Sequence, residues 1–228
     1  MANSCIVLSV PRSGTHLVMC LLRLLGMKEF LAETDKYGVK NIFNLPKKNH
    51  FCFGTHIPFD YSYLEIMKKK GIKGINISRD IRDVVTSFAF YIRDFSYEDG
   101  HKKIKNKSPQ EQISYIIKGD KSIDFPPIAN RIKSNREWNQ HEIIYHATFE
   151  KLIGENGGGS EKEQFEEIKN ICRHLDIKIK NSQIGGMTKE LWRNPDYGEN
   201  IRKGIIGNHK DFFTDKIRKE LKEAMKNV

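Results

Sequence analysis

No window of the chain approaches 18 uninterrupted apolar residues, so the sequence holds nothing that reads as a membrane span. The first apolar run starts without a basic leader, and no signal peptide is expected. Cysteine is sparse. Cys5, Cys20, Cys52 and Cys172 show no paired metal-ligand spacing and mostly sit in apolar runs. They are expected to be reduced core residues of a cytoplasmic protein, with no metal site. No internal repeat is found. The most informative absence lies in SVPRSGTHLV, residues 9–18, which follows an apolar run and opens a helical segment. A nucleoside-triphosphate loop needs Gly, four residues, then Gly-Lys-Ser/Thr. Here Gly14 stands alone among Arg12, Ser13, Thr15 and His16, and no lysine follows it.

The 228 residues suit one domain, 1–228, large enough for a full core. Thirty-nine Lys and Arg against 29 Asp and Glu give a formal charge of +10, which favours an anionic partner. Charge by itself leaves nucleic acid, a phosphorylated cofactor and an anionic surface equally open.

Apolar runs alternate with amphipathic stretches. Strands are predicted over 5–10, 50–56, 72–78 and 142–148. Helices are predicted over 15–25, 62–70 (ending at Gly71), 82–92, 128–139 and 161–175, with a last one from Asp215 capped by Thr214. That alternation implies an α/β fold, a parallel sheet flanked by helices, and the strand, tight turn and helix around SVPRSGTHLV add a phosphate-loop-like nucleotide site. Ligands of such sheets sit at the carboxyl ends of the strands, where residues 10–16, 55–56 and 79 fall. Residues 100–108 read as a basic loop, 155–162 as a surface turn, and 185–208 as an irregular stretch of the kind that covers a site.

Four segments, PRSGTHL, GTHIP (54–58), ISRDIRDVVTSFAFY (77–91) and IRKGIIGNHKDFFT (201–214), occur in an order and spacing that resemble the cytosolic-type sulfotransferases. That family uses 3′-phosphoadenosine 5′-phosphosulfate (PAPS) and leaves 3′,5′-ADP. The resemblance implies that backbone N–H groups around Ser13, Gly14 and Thr15 hold the 5′-phosphate, with the hydroxyls of Thr15 and Ser13 and with His16 as added contacts. Arg12 stands where the family has a lysine that stabilises the leaving oxygen, so pure electrostatic stabilisation is implied. His56 takes the place of the catalytic base, with Gly54 where the family usually has lysine. Arg79 and Ser87 are assigned to the 3′-phosphate, closed from the far end of the chain by Arg202, Lys203 and Gly204. Arg82 and Asp83 are expected to pair locally at the start of their helix.

Several positions depart from the family. Leu17 replaces the adenine-stacking tryptophan, Phe149 a tyrosine before Glu150, and His209 the tryptophan of the closing motif. The dimerisation pattern is only partly met by Lys210 and Thr214, with Asp215 and Lys219 off pattern, so a monomer or weak homodimer is expected. The other histidines, 50, 101, 141, 146, 174 and 209, read as ordinary.

The resulting expectation is a PAPS-dependent sulfotransferase acting on a small molecule rather than on nucleic acid or a membrane. A nucleotide kinase is the rival enzyme, disfavoured by the incomplete loop. A polyanion binder would explain the charge and the run at 101–107, but not the ordered motifs. Acceptor contacts are expected from 30–46, 88–125 and 185–198, where Phe88, Phe90, Tyr91, Phe95 and Tyr97 form either an aromatic wall or core.

Overall fold

Strand β1 (Cys5–Ser9) is buried at every position, as an aliphatic run covered on both faces must be. The computed structural model of the chain describes residues 4–29, 50–96, 98–191 and 202–228. After β1 come α1 (Thr15–Leu24), β2 (Lys28–Glu29), β3 (Phe51–Thr55), α2 (Tyr61–Lys70), β4 (Lys73–Ser78), α3 (Ile81–Asp94), α4 (His101–Ile104) and α5 (Pro109–Lys118). Then follow α6 (Ile128–Arg136), β5 (Ile144–Thr148), α7 (Phe149–Leu152), α8 (Glu161–His174), α9 (Asn181–Glu190) and α10 (Asp215–Ala224). Internal contacts divide the chain into two units, Met1–Arg79 with Asn135–Ile206, and Asp80–Ser134 with Gly207–Val228.

The first unit holds the whole sheet, in the order β2-β3-β1-β4-β5 with every pair parallel. Alternation along β1 sends Cys5 and Val7 to one face and Ile6 and Leu8 to the other. The first face packs with Ile75 and Ile77 against Val18 and Leu21 of α1 and Ile168 and Ile171 of α8. The second packs with Phe51 and Phe53 against Leu64 and Met67 of α2 and against Trp138. Both faces are dry, which a parallel sheet requires. The four cysteines are buried and free. Burial pushes the Cys52 thiol up to about 12 and that of Cys172 to about 11, so both stay protonated.

In the second unit α3 carries Phe90 against Phe212, centroids 4.9 Å apart, and Phe88 against Phe125 at 5.7 Å. Phe88 and Phe90 are buried, so they serve as core. Tyr91 and Phe95 pack on each other at 4.6 Å, and Tyr97 lies outside the described residues. Glu220 of α10 accepts from Ser114 Oγ at 2.6 Å and Lys118 Nζ at 2.9 Å, tying α10 to α5.

Three expectations are corrected here. The stretch 100–108 is not all loop, because His101–Ile104 forms a helical turn. Residues 109–118, left unassigned, form α5, started by a capping box between Ser108 and Glu111 with Pro109 in its first turn. The irregular stretch from Gly185 is helical up to Glu190, and residues 192–201 of it lie outside the described residues. Among the described residues no helix is long and apolar enough to cross a membrane. Nor does any group of three or more His, Cys, Asp or Glu there have the arrangement of a metal site.

Candidate active site

Because β1 lies between β3 and β4, the chain order reverses about it, and the carboxyl ends of these strands flank a topological switch point. The register sets Leu8 beside Thr55 and Ser9 beside Ile77. The next residues along each strand, the loop 10–14, His56, and Arg79 one place past Ser78, therefore emerge together. Three motifs far apart in sequence meet for that reason.

The loop after β1 is tight. Ser13 N donates to Val10 O at 3.1 Å, and Arg12 is held at φ 71°, a left-handed backbone that costs a residue with a Cβ roughly 1–3 kcal/mol. Gly14 follows at φ 115°, where a Cβ would meet Ile77 Cδ1 and Phe149 Cδ2, each at 3.0 Å. Gly14 is the N-cap of α1 and no side chain caps that helix. The N–H groups of its first turn and the positive end of its dipole lie just past the carboxyl end of β1, a donor set suited to a phosphate. Ser13 and Thr15 are buried beneath the loop. Leu17 is buried in the core, so it offers a ligand only its backbone, and its side chain cannot replace a stacking tryptophan. Partial desolvation, then the Arg12 guanidinium, push the His16 pKa below the ordinary imidazole value, which keeps His16 neutral.

His56 is exposed, and Ser9 holds its ring from the sheet side. Its Nδ1 lies 3.0 Å from the Ser9 carbonyl and 3.0 Å from Ser9 Oγ. A carbonyl can only accept, so the Ser9 oxygen favours the tautomer with the proton on Nδ1 and the lone pair on Nε2. Ser9 Oγ continues to Thr15 Oγ1 at 2.6 Å. Gly54 makes this proximity possible, since a Cβ there would stand 2.9 Å from Thr15 Cγ2.

Arg79 Cζ lies 4.0 Å above the Phe149 ring, and its Nη2 donates to Ile205 O at 2.8 Å, with a weaker 3.5 Å contact from Nη1 to Arg12 O. Phe149 is buried and its ring face meets this guanidinium, so it acts as a support for Arg79. Ile206 N donates to Gly157 O at 2.9 Å and fixes the chain that follows Arg202, Lys203 and Gly204. Arg202 is exposed, Lys203 and Gly204 half-buried. Ser87 is buried on α3 and belongs to the second unit.

Two sequence readings are revised. Arg82 does pair locally, in a fork with Asp80, but Asp83 does not. Its carboxylate is fully buried and accepts from His209 Nδ1 and from the backbone of Gly207 and His209. His209 is thus neither an ordinary surface histidine nor a stacking group. Ser9 was overlooked. Its only sequence signal is a hydroxyl closing an aliphatic strand.

The sulfotransferase-domain family profile matches residues 3–228, a span that takes in both units. Comparison with curated proteins returns no significant match. Among solved structures the chain is similar to mouse sulfotransferase SULT7A1 complexed with PAP, at 18% identity and a TM-score of 0.74, covering 99% of this chain and 85% of that one. It is also similar to retinol dehydratase in complex with androsterone and inactive cofactor PAP, at 16% identity and a TM-score of 0.66, covering 99% of this chain and 81% of that one. At those identities the likeness speaks for the fold, while the profile spans nearly every residue: the chain belongs to the sulfotransferase-domain family.

Proposed function

We propose that this protein transfers the sulfuryl group of PAPS to a hydroxyl or amine of a small-molecule acceptor, with His56 as general base. The observation that carries this reading is the convergence, at the ends of β1, β3 and β4, of an uncapped helix N-terminus, an oriented imidazole and a stacked arginine. Both similar structures were solved with PAP, and one also holds androsterone, which supports the cofactor and a small acceptor.

PAPS, when bound, supplies an activated sulfuryl group whose transfer needs no second phosphate to be bridged. The chain's residues divide the remaining work. The N–H groups of the first turn of α1, with the Thr15 hydroxyl, hold the 5′-phosphate. Arg12 neutralises charge on the departing oxygen without giving up a proton, since a guanidinium stays protonated. His56 takes the acceptor's proton at Nε2 as that oxygen or nitrogen attacks. Arg79, with Arg202, Lys203 and the Gly204 backbone, holds the 3′-phosphate. Buried, protonated cysteines suit a reducing cytosol.

The test is ligand-induced stabilisation followed by turnover. 3′,5′-ADP should raise the melting temperature while 5′-AMP and ATP with magnesium should not. His56→Ala should keep that stabilisation and lose at least about a hundredfold in turnover with labelled PAPS and a metabolite extract, the usual contribution of a positioned base. Stabilisation by ATP-magnesium alone would overturn the reading in favour of a kinase.

A further inference from the structure

Ser9 touches both halves of the proposed chemistry. Its hydroxyl lies 2.6 Å from Thr15 Oγ1 on the phosphate loop and 3.0 Å from His56 Nδ1, and all three residues belong to the first unit. Ser9 and Thr15 are buried, which shields the hydrogen bond between them from water, while His56 at the end of the line is exposed. We propose that Ser9 is the positioning residue that couples occupancy of the phosphate loop to the tautomer of His56. The inference rests on the PAPS reading above.

Each hydroxyl has one proton to donate, so two hydroxyls and an imidazole nitrogen in a row can point only one way at a time. In one direction His56 Nδ1–H donates to Ser9, Ser9 O–H donates to Thr15 Oγ1, and the Thr15 proton points into the loop. In the other, Thr15 donates to Ser9, Ser9 donates to an unprotonated Nδ1, and the imidazole proton sits on Nε2. Only the first direction leaves Nε2 able to accept a proton from substrate. The Ser9 carbonyl, 3.0 Å from Nδ1, already leans that way. An anion in the loop, able only to accept, receives the hydrogen bond of the Thr15 hydroxyl and locks the line in the same direction. Cofactor binding thereby arms the base, and the cofactor-free protein holds a mixture of the two tautomers. Gly54 is the structural condition for this, since it lets Thr15 reach β3.

The experiment uses the full chain with 15N-labelled histidine and long-range proton–nitrogen correlation spectra, His56→Ala identifying the His56 signals. Addition of 3′,5′-ADP to the unaltered protein should convert His56 to the Nδ1–H form. Ser9→Ala keeps the carbonyl that accepts from Nδ1 and removes the hydroxyl that can donate to it, so it should bind 3′,5′-ADP within about threefold of the unaltered protein and hold His56 in the Nδ1–H form with and without nucleotide, showing no conversion. Ser9→Thr, which restores a hydroxyl at the same carbon, should recover the conversion. The spectrum of the unaltered protein decides the matter even if Ser9→Ala folds poorly. Binding of 3′,5′-ADP with no tautomer change overturns the role of Ser9 and spares the PAPS reading. A full change in folded Ser9→Ala does the same. Failure of 3′,5′-ADP to bind removes both.

Discussion

Asp83 and His209, 126 residues apart in sequence, meet in the interior with 2.8 Å between Oδ1 and Nδ1. The same carboxylate accepts from His209 N at 2.9 Å and from Gly207 N at 2.7 Å, so it gathers the turn ahead of α10 onto the first turn of α3. A buried carboxylate with three donors is satisfied; those donors without it are not. Asp83→Ala should therefore cost on the order of 2–4 kcal/mol in urea unfolding at pH 7.5. Asp83→Asn, which turns one acceptor into a donor facing another donor, should lose less. A loss under about 0.5 kcal/mol for the alanine variant would mean that the turn is held by something else.

The strands were legible because a parallel sheet covered on both faces writes itself as aliphatic runs such as CIVLS and KGINIS. Helix α5 was also written in the sequence, as Ser108-Pro109 followed by Glu111, and the surrounding lysines drew attention away from that capping signal. The partner of Asp83 was not legible. Local spacing offers Arg82, and nothing in periodicity announces a donor 126 residues later. The candidate site shows the same division. Its loop 10–14, His56 and Arg79 are motif residues, whereas Ser9 owes its position beside His56 to the pairing of Leu8 with Thr55, a register that exists only once the sheet forms.

Gly54 offers a direct probe of that packing. Its missing Cβ leaves room for Thr15 Cγ2 at 2.9 Å and Met19 Cγ at 3.4 Å. Met19 can flex, but a β-branched side chain in the first turn of a helix has few rotamers to move to. Gly54→Ala should cost about 1–3 kcal/mol through overpacking and should weaken 3′,5′-ADP by displacing Thr15. Thermal unfolding with and without nucleotide measures both, and an unchanged melting temperature would show that the loop has slack.

Acid should destabilise the protein before its carboxylates titrate. Burial, then the Lys73 ammonium, hold the His174 imidazole below its ordinary value of 6.5, and burial followed by Lys151 does the same for His146. A depressed imidazole pKa means that the unfolded chain takes up a proton first as the pH falls. Stability present above 6.5 should thus decline from there downwards. Glu167, pushed up by burial, acts with the opposite sign. Urea midpoints between pH 7.5 and 5.5 should fall, and His174→Gln should flatten the curve. Identical slopes in the two proteins would assign the effect elsewhere.

Arg79 is held in place by its neighbours. Its guanidinium stacks 4.0 Å above Phe149 and donates to Ile205 O at 2.8 Å, so its position is set before any ligand arrives. A charge fixed in advance loses little entropy on binding, and its hydrogen bonds to phosphate are roughly twice as strong as neutral ones. Arg79→Ala should weaken 3′,5′-ADP by on the order of 2–4 kcal/mol, or roughly 30- to 1,000-fold, and remove most of the preference over 5′-AMP. Lysine is the sharper substitution. Arg79→Lys keeps the charge but loses the planar fork that allows stacking, backbone donation and phosphate contact at once. It should therefore recover only part of the affinity. Phe149→Leu, which leaves the arginine in place but removes its platform, should fall between unaltered protein and Arg79→Ala, whereas Leu17→Ala should change nucleotide affinity least because that side chain faces the core. Calorimetric titration of both nucleotides into the four variants orders them. If Arg79→Ala still discriminates 3′,5′-ADP from 5′-AMP as the unaltered protein does, Arg79 is a strut between Phe149 and Ile205, and the 3′-phosphate is held by other residues.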